Sequence, residues 1–414
     1  MASTTRRLPV ALLFAAIVAD GFDTASLSFV TPALSDAWGL RPADFTLPLV
    51  ATNVGAVLGY LACARLSARF GRATVVWVSV LGFAATTAAT AAVDGVAALA
   101  AIRLLTGLGL GTVLPAAVSL AADLVEPRRR EPAAVLMVLG MAVGAVLGGV
   151  TGGPLIHGLG WPAVFWAAAV PAAGLSLLLR RYLPRHVSQL DGQPDAGPDG
   201  LLDGRLEEGR GAEVGALFRP GLRGSTALLW TFAFLVFTVS QTLNIWLPTL
   251  LVDFGFSTEQ APLGTAVWGL GGIAGGAALA VAATRLGAPR ALVVLCGLAA
   301  ALLAVVAVAP LAAPALLAAL ALAGAGAAAG PAGQSALAIG VYDPAARTTG
   351  IAWAVALGRV GSIAGPAACG ALLAAGAPAR VIVLLAGAPV LVAAVVVAAL
   401  HRTREPVPSG RSAA

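Results

Sequence analysis

Apolar residues run along this chain in twelve stretches long enough to cross a bilayer, each set off from the next by Gly, Pro, Arg or Asp. An α-helix rises about 1.5 Å per residue, so about 20 apolar residues span the hydrocarbon. The first six stretches cover about 8–34, 45–64, 73–93, 97–122, 132–156 and 161–183. The second six cover about 223–252, 259–283, 289–309, 313–341, 348–374 and 379–400. The pattern predicts an all-α membrane protein: twelve transmembrane helices in two pseudo-symmetric six-helix bundles. The expected domains are an N-terminal bundle at 1–183, a central loop at 184–222, a C-terminal bundle at 223–402 and a tail at 403–414. The loop is rich in Gly, Pro, Asp and Arg, a linker composition with one short surface helix expected at 213–218. Arg6 and Arg7 ahead of the first stretch could mark a signal peptide. Asp20 and Asp23 interrupt that stretch, and no clear small-residue cleavage site precedes them, so it is read as a span.

Composition narrows the class further. Hydrophobic residues make up 59% and charged residues 11% of the 414. A soluble domain needs roughly 25% charged residues to coat its surface. The 50 glycines follow no period of three, which excludes a collagen-like fibre. The formal charge of +6 is carried by arginine alone, since the chain has no lysine. Of the 25 arginines, Arg41 and Arg380 fall on one side of the spans, and Arg103 and Arg359 fall within them. The rest share the side of the N-terminus. The positive-inside rule then places both termini and the central loop in the cytoplasm, with the chain in the cytoplasmic membrane. The excess reports orientation, and no aromatic-interleaved basic stripe suggests nucleic acid.

An ionised side chain at the centre of a span costs roughly 2.5–3.5 kcal/mol on the insertion scale. Each one therefore calls for a reason. Asp20 and Asp23 stand three apart in the first span and share one helix face. Two carboxylates in apolar surroundings can take up and release a proton, or can be salt-bridged packing residues. Arg103, in a glycine-rich fourth span, is positioned to pair with either aspartate or to bind an anion. Arg359, in the eleventh span, suits capture of a carboxylate. Gln241 and Asn244 stand three apart in the seventh span, at a depth similar to the aspartates, and can orient a polar substrate or bond neighbouring helices. The scattered Cys63, Cys296 and Cys369 and His157, His186 and His401 offer neither a disulfide framework nor metal-ligand spacing, and are read as structural or incidental. There is no P-loop, HExxH or GxSxG, so neither ATP-driven transport nor an enzyme is expected, and no cofactor.

Several motifs carry a family resemblance. These are DGFDT at 20–24 and RFGR at 69–72, then RLLTGLGLGTVLP at 103–115 with Asp123 and Arg128 to Arg130 beyond it. The second half has WLPTLL at 246–251, Gln334, Tyr342, Arg347 with Thr348-Thr349-Gly350, Trp353 and GRVGSIAGP at 358–366. Taken together the chain resembles the major facilitator superfamily, and within it the aromatic acid:proton symporters. The resemblance implies proton coupling at Asp20 and Asp23. It supports substrate or charge-pair roles for Arg103 and Arg359 and adds Gln334, beside Gln241 and Asn244, which rest on their placement in the seventh span. It implies gating roles for Arg69, Arg72, Asp123, Arg128 and Arg347. The chain departs from the superfamily at Ala64 and Ala68, where the loop motif carries Gly and Asp, at Thr284 in the matching second-half loop, and at Ala116, where an Asn often follows the proline. The implied activity is uptake of a small aromatic or related carboxylate with a proton, by a monomer. Proton-driven export of a hydrophobic metabolite or drug, or ligand sensing without transport, are alternatives on the same fold.

Overall fold

The computed structural model describes residues 2–126, 130–183, 217–219, 222–342 and 344–402. Among the described residues twelve helices are long and apolar enough to cross a membrane. In the first half they are α1 (Ala2–Trp38), α2 (Thr46–Phe70), α3 (Arg72–Thr90), α4 (Val96–Leu124), α5 (Arg130–Leu159) and α6 (Pro162–Tyr182). In the second half they are α7 (Arg223–Asp253), α8 (Leu263–Leu286), α9 (Ala288–Val308), α10 (Ala313–Val341), α11 (Pro344–Ala374) and α12 (Ala379–Arg402). A short 3-10 turn, Pro42–Phe45, joins α1 to α2. The expected twelve spans are all present, and their limits move by a few residues because glycine and proline inside a span do not end it. Pro115, Pro154, Pro248 and Pro366 all sit within helices. Of the surface helix expected at 213–218, only Leu217 and Phe218 are among the described residues. Most of the expected central loop lies outside them.

The chain divides into two compact units. One comprises Met1–Asp195, Gln241–Leu270 and Ile363–Ile382, and the other Ala196–Ser240, Gly271–Ser362 and Val383–Ala414. In the first unit α2 packs along α4, α1 along α5, and α3 against both α4 and α6. In the second, α9 packs along α10.

The close pairs are built on glycine, because lipid supplies no hydrophobic drive between helices and packing must do the work. Gly55 and Gly59 of α2 face the carbonyls of Leu104 and Leu108, while Gly107 and Gly111 of α4 face those of Thr52 and Ala56. In the α1–α5 pair, Gly21 lies on the backbone of Met141 and Gly144 on the backbone of Val18 to Phe22. A methyl group at Gly144 would overlap main chain, which cannot swing aside as a side chain can. Gly144→Ala is therefore expected to cost about 1–3 kcal/mol and lower the melting temperature. Gly174→Ala on α6, where an added carbon meets nothing within 4 Å, should leave it unchanged. Equal melting of the two variants by fluorescence-detected size exclusion would contradict this account of the pair.

Further links in the first unit join α7, α11 and α12. The buried Trp246 indole donates to the Pro366 carbonyl at 2.9 Å. Asp253 at the end of α7 accepts from the backbone N–H of Ala379 at 3.2 Å, satisfying a donor in the first turn of α12 that has no partner within its own helix.

Candidate functional site

α1 carries hydroxyls that bond back to its own carbonyls: Ser26 to Asp23, Thr31 to Leu27 and Ser35 to Pro32. Such bonds, with Pro32, loosen the regular ladder while keeping backbone groups satisfied in an apolar setting. On this helix Asp20 and Asp23 are both buried, at 2% and 0% exposure.

Their surroundings differ. Asp23 meets Arg103 of α4, a side chain that is also fully buried. The Arg103 Nη1 lies 3.4 Å from Asp23 Oδ1, and its Nη2 donates to the Asp23 carbonyl at 3.2 Å. The Thr87 hydroxyl of α3 donates to the same Oδ1 at 2.9 Å. The guanidinium also sits 5.9 Å from the centre of the Phe165 ring of α6. Four helices thus enclose one ion pair. The pair is not a full fork, since Asp23 Oδ2 and Arg103 Nε have no partner among the described residues. Asp20 accepts from Thr24 at 3.1 Å. No cation among the described residues lies within ion-pair distance of it.

This arrangement holds two acids and one permanent cation in a buried enclosure. One negative charge is matched by the guanidinium, and the second acid has only a hydroxyl. Such a group can exchange a proton without breaking the ion pair beside it, and the Asp23 Oδ2 and Arg103 Nε keep unused hydrogen-bonding capacity.

Of the other expected residues, Gln241 lies 3.4 Å from Asn53 of α2 through its amide nitrogen. Asn244, one turn on, is half-buried. In the second unit Gln334 is buried with its Oε1 lacking a partner among the described residues. Arg359 there is half-buried, and its carbonyl accepts the Ser362 hydroxyl at 2.7 Å. Among the gating residues, Arg72 and Asp123 form an ion pair. Arg72 opens α3 and Asp123 is near the close of α4, positions where each charge opposes its own helix dipole, so the pairing offsets both. Asp123 thus partners Arg72 where the loop has no acid at Ala68. Arg69 is exposed beside Phe70. Arg128 and the side chain of Arg347 lie outside the described residues.

Sequence reasoning missed several partners. Thr87 and Asn53 are polar residues of kinds common in apolar helices, and nothing local marked them. His157, among the residues read as structural or incidental, has Nδ1 2.6 Å from Glu259 Oε1. The distance in sequence, about a hundred residues, concealed that contact.

The profile described as Major Facilitator Superfamily matches residues 12–314 and 229–414. The chain belongs to the Major Facilitator Superfamily. It is a multi-pass membrane transporter and not an enzyme. It is 30% identical to a gallate transporter of Pseudomonas putida, over 96% of this chain and 92% of the relative. It is 30% identical to a 4-hydroxybenzoate transporter of the same organism, over 86% and 84%. With a 3-(3-hydroxy-phenyl)propionate transporter of Escherichia coli it shares 31% identity over 97% and 96%. Among solved structures, a bacterial homologue of the human lysosomal transporter Spinster superposes with a TM-score of 0.72 at 18% identity, over 96% of this chain and 97% of that one. A D-xylose–proton symporter does so at 0.71 and 16%, over 94% and 96%. These superfamily neighbours share the twelve-helix fold.

Proposed function

We propose that this transporter takes up a small aromatic or related organic carboxylate together with a proton, by alternating access. In this reading both termini lie in the cytoplasm and the chain sits in the cytoplasmic membrane. The observation that carries the reading is the buried trio on α1 and α4: two carboxylates and one guanidinium, which pairs with Asp23 and leaves Asp20 with a hydroxyl. The near full-length relatives named for gallate, 4-hydroxybenzoate and hydroxyphenylpropionate supply the substrate class. Asp20 carries the exchangeable proton, Asp23 and Arg103 form the neighbouring pair that senses it, and Gln241, Asn244, Gln334 and Arg359 serve the substrate. Arg72 with Asp123, and Arg69, Arg128 and Arg347, act in closing the cytoplasmic face. The arginine-rich ends hold that face inward.

Reconstituted vesicles test the coupling. Uptake of labelled 4-hydroxybenzoate or gallate should follow an inward proton gradient, collapse with a protonophore, and persist without sodium. Among the described residues no cluster of three or more His, Cys, Asp or Glu is arranged to hold a metal ion. Strict sodium dependence at a fixed proton gradient would overturn the proton assignment.

A further inference from the structure

At the end of α6 that meets the start of α3, two cavities adjoin. One, of about 160 Å³, is lined by Ala73, Thr74, Trp77, Leu179, Arg180 and Leu183. The other, of about 580 Å³, is lined by Leu177, Arg180, Arg181 and Leu183. They share Arg180 and Leu183. The Arg180 guanidinium lies over the Trp77 ring at 5.3 Å, and the Ser176 hydroxyl donates to the Trp77 carbonyl at 2.9 Å, tying α6 to α3 beside it. Among the described residues neither Arg180 nor Arg181 has a carboxylate within ion-pair distance. The face of α6 immediately before them is apolar and uncovered, with Leu177 at 63% exposure and Leu178 at 45%.

We infer that this recess binds the phosphate of an anionic phospholipid, with Arg180 and Arg181 on the headgroup and an acyl chain along Leu177 and Leu178. Charge complementarity is placed at one depth here. A guanidinium offers a fork of donors to phosphate oxygens, and one already stacked on an indole has less freedom to lose on binding. Tryptophan and tyrosine collect at the headgroup level of a bilayer, and Trp77 and Tyr182 mark that level here. Two arginines with no carboxylate partner among the described residues, above exposed leucines, match a molecule that is anionic at one end and apolar beyond it. A zwitterionic lipid brings the same phosphate with a cationic ammonium that repels the two guanidinium groups, and a free anion would leave the leucines uncovered.

The test is native mass spectrometry of the full chain released from detergent, probed in turn with phosphatidylglycerol, phosphatidylcholine and inorganic phosphate. The wild type should retain phosphatidylglycerol over phosphatidylcholine. Each basic residue at a membrane surface contributes about fivefold in affinity, so the variant R180Q/R181Q should lose roughly tenfold or more of that preference. R180K, which keeps the charge and loses the fork, should retain part of it, and R180Q/R181Q should melt with the wild type. Equal retention of the two lipids by the wild type would overturn the inference, as would an unchanged preference in R180Q/R181Q. Saturation by inorganic phosphate with no preference between lipids would reassign the recess to the free anion. Because the readout is lipid retention, it stands apart from the proposed transport of aromatic acids.

Discussion

Asp20→Asn is expected to bring the accumulation ratio of an aromatic carboxylate down to equilibrium while leaving substrate exchange across the membrane intact. Among the described residues Asp20 accepts from the Thr24 hydroxyl alone, and an amide oxygen accepts that bond as a carboxylate does. The substitution therefore removes a titratable proton without stranding a neighbour. Net uphill transport requires the proton to be bound on one side and released on the other. Exchange of labelled for unlabelled substrate requires only that the loaded protein reorient. Counterflow and gradient-driven uptake, measured on the same vesicles, separate the two. Full accumulation by the variant would remove Asp20 from the coupling role.

A change at the ion pair should act on stability first. Arg103→Leu leaves the Asp23 carboxylate buried with two hydroxyls, Thr87 and Ser26, and no cation. Breaking a buried pair in this way typically costs about 3–5 kcal/mol. Asp23→Asn costs comparably, because the guanidinium left behind cannot lose its charge. The double variant Asp23→Asn with Arg103→Gln removes both charges, and should recover most of the lost melting temperature while remaining unable to accumulate substrate. That split tests whether the pair matters to transport apart from its part in folding. A double variant as unstable as either single one would show that the pairing is not the dominant interaction. One that accumulates substrate normally would exclude the pair from coupling.

Much of this was legible in the residues because membrane interiors make charge conspicuous. Asp20, Asp23 and Arg103 stand out in apolar runs and could be singled out without a structure. Which aspartate meets Arg103 could not be read, since a spacing of three puts both on one face. Packing decides it, with α3 adding Thr87 and α6 adding Phe165 around Asp23. Arg72 had several acids to choose from in the sequence, and the meeting of the α3 start with the α4 end selects Asp123. Asn53 and the His157–Glu259 contact escaped because their partners lie far along the chain, where no periodicity reaches. The glycines were legible as permission for close approach, though not as a list of which helices approach.

Two further glycines have a thermodynamic consequence. Gly149 and Gly153 of α5 lie against the segment holding Glu259, Pro262 and Ala266, largely main chain on main chain. Such a seam has few side-chain rotamers to freeze when it forms and few to release when it parts. The entropy of ordering side chains then contributes little to the difference between mated and separated surfaces. Contact energy and hydrogen bonds such as that between His157 and Glu259 are left to set the balance. A joint of this kind can be undone and remade over many cycles without searching for its fit.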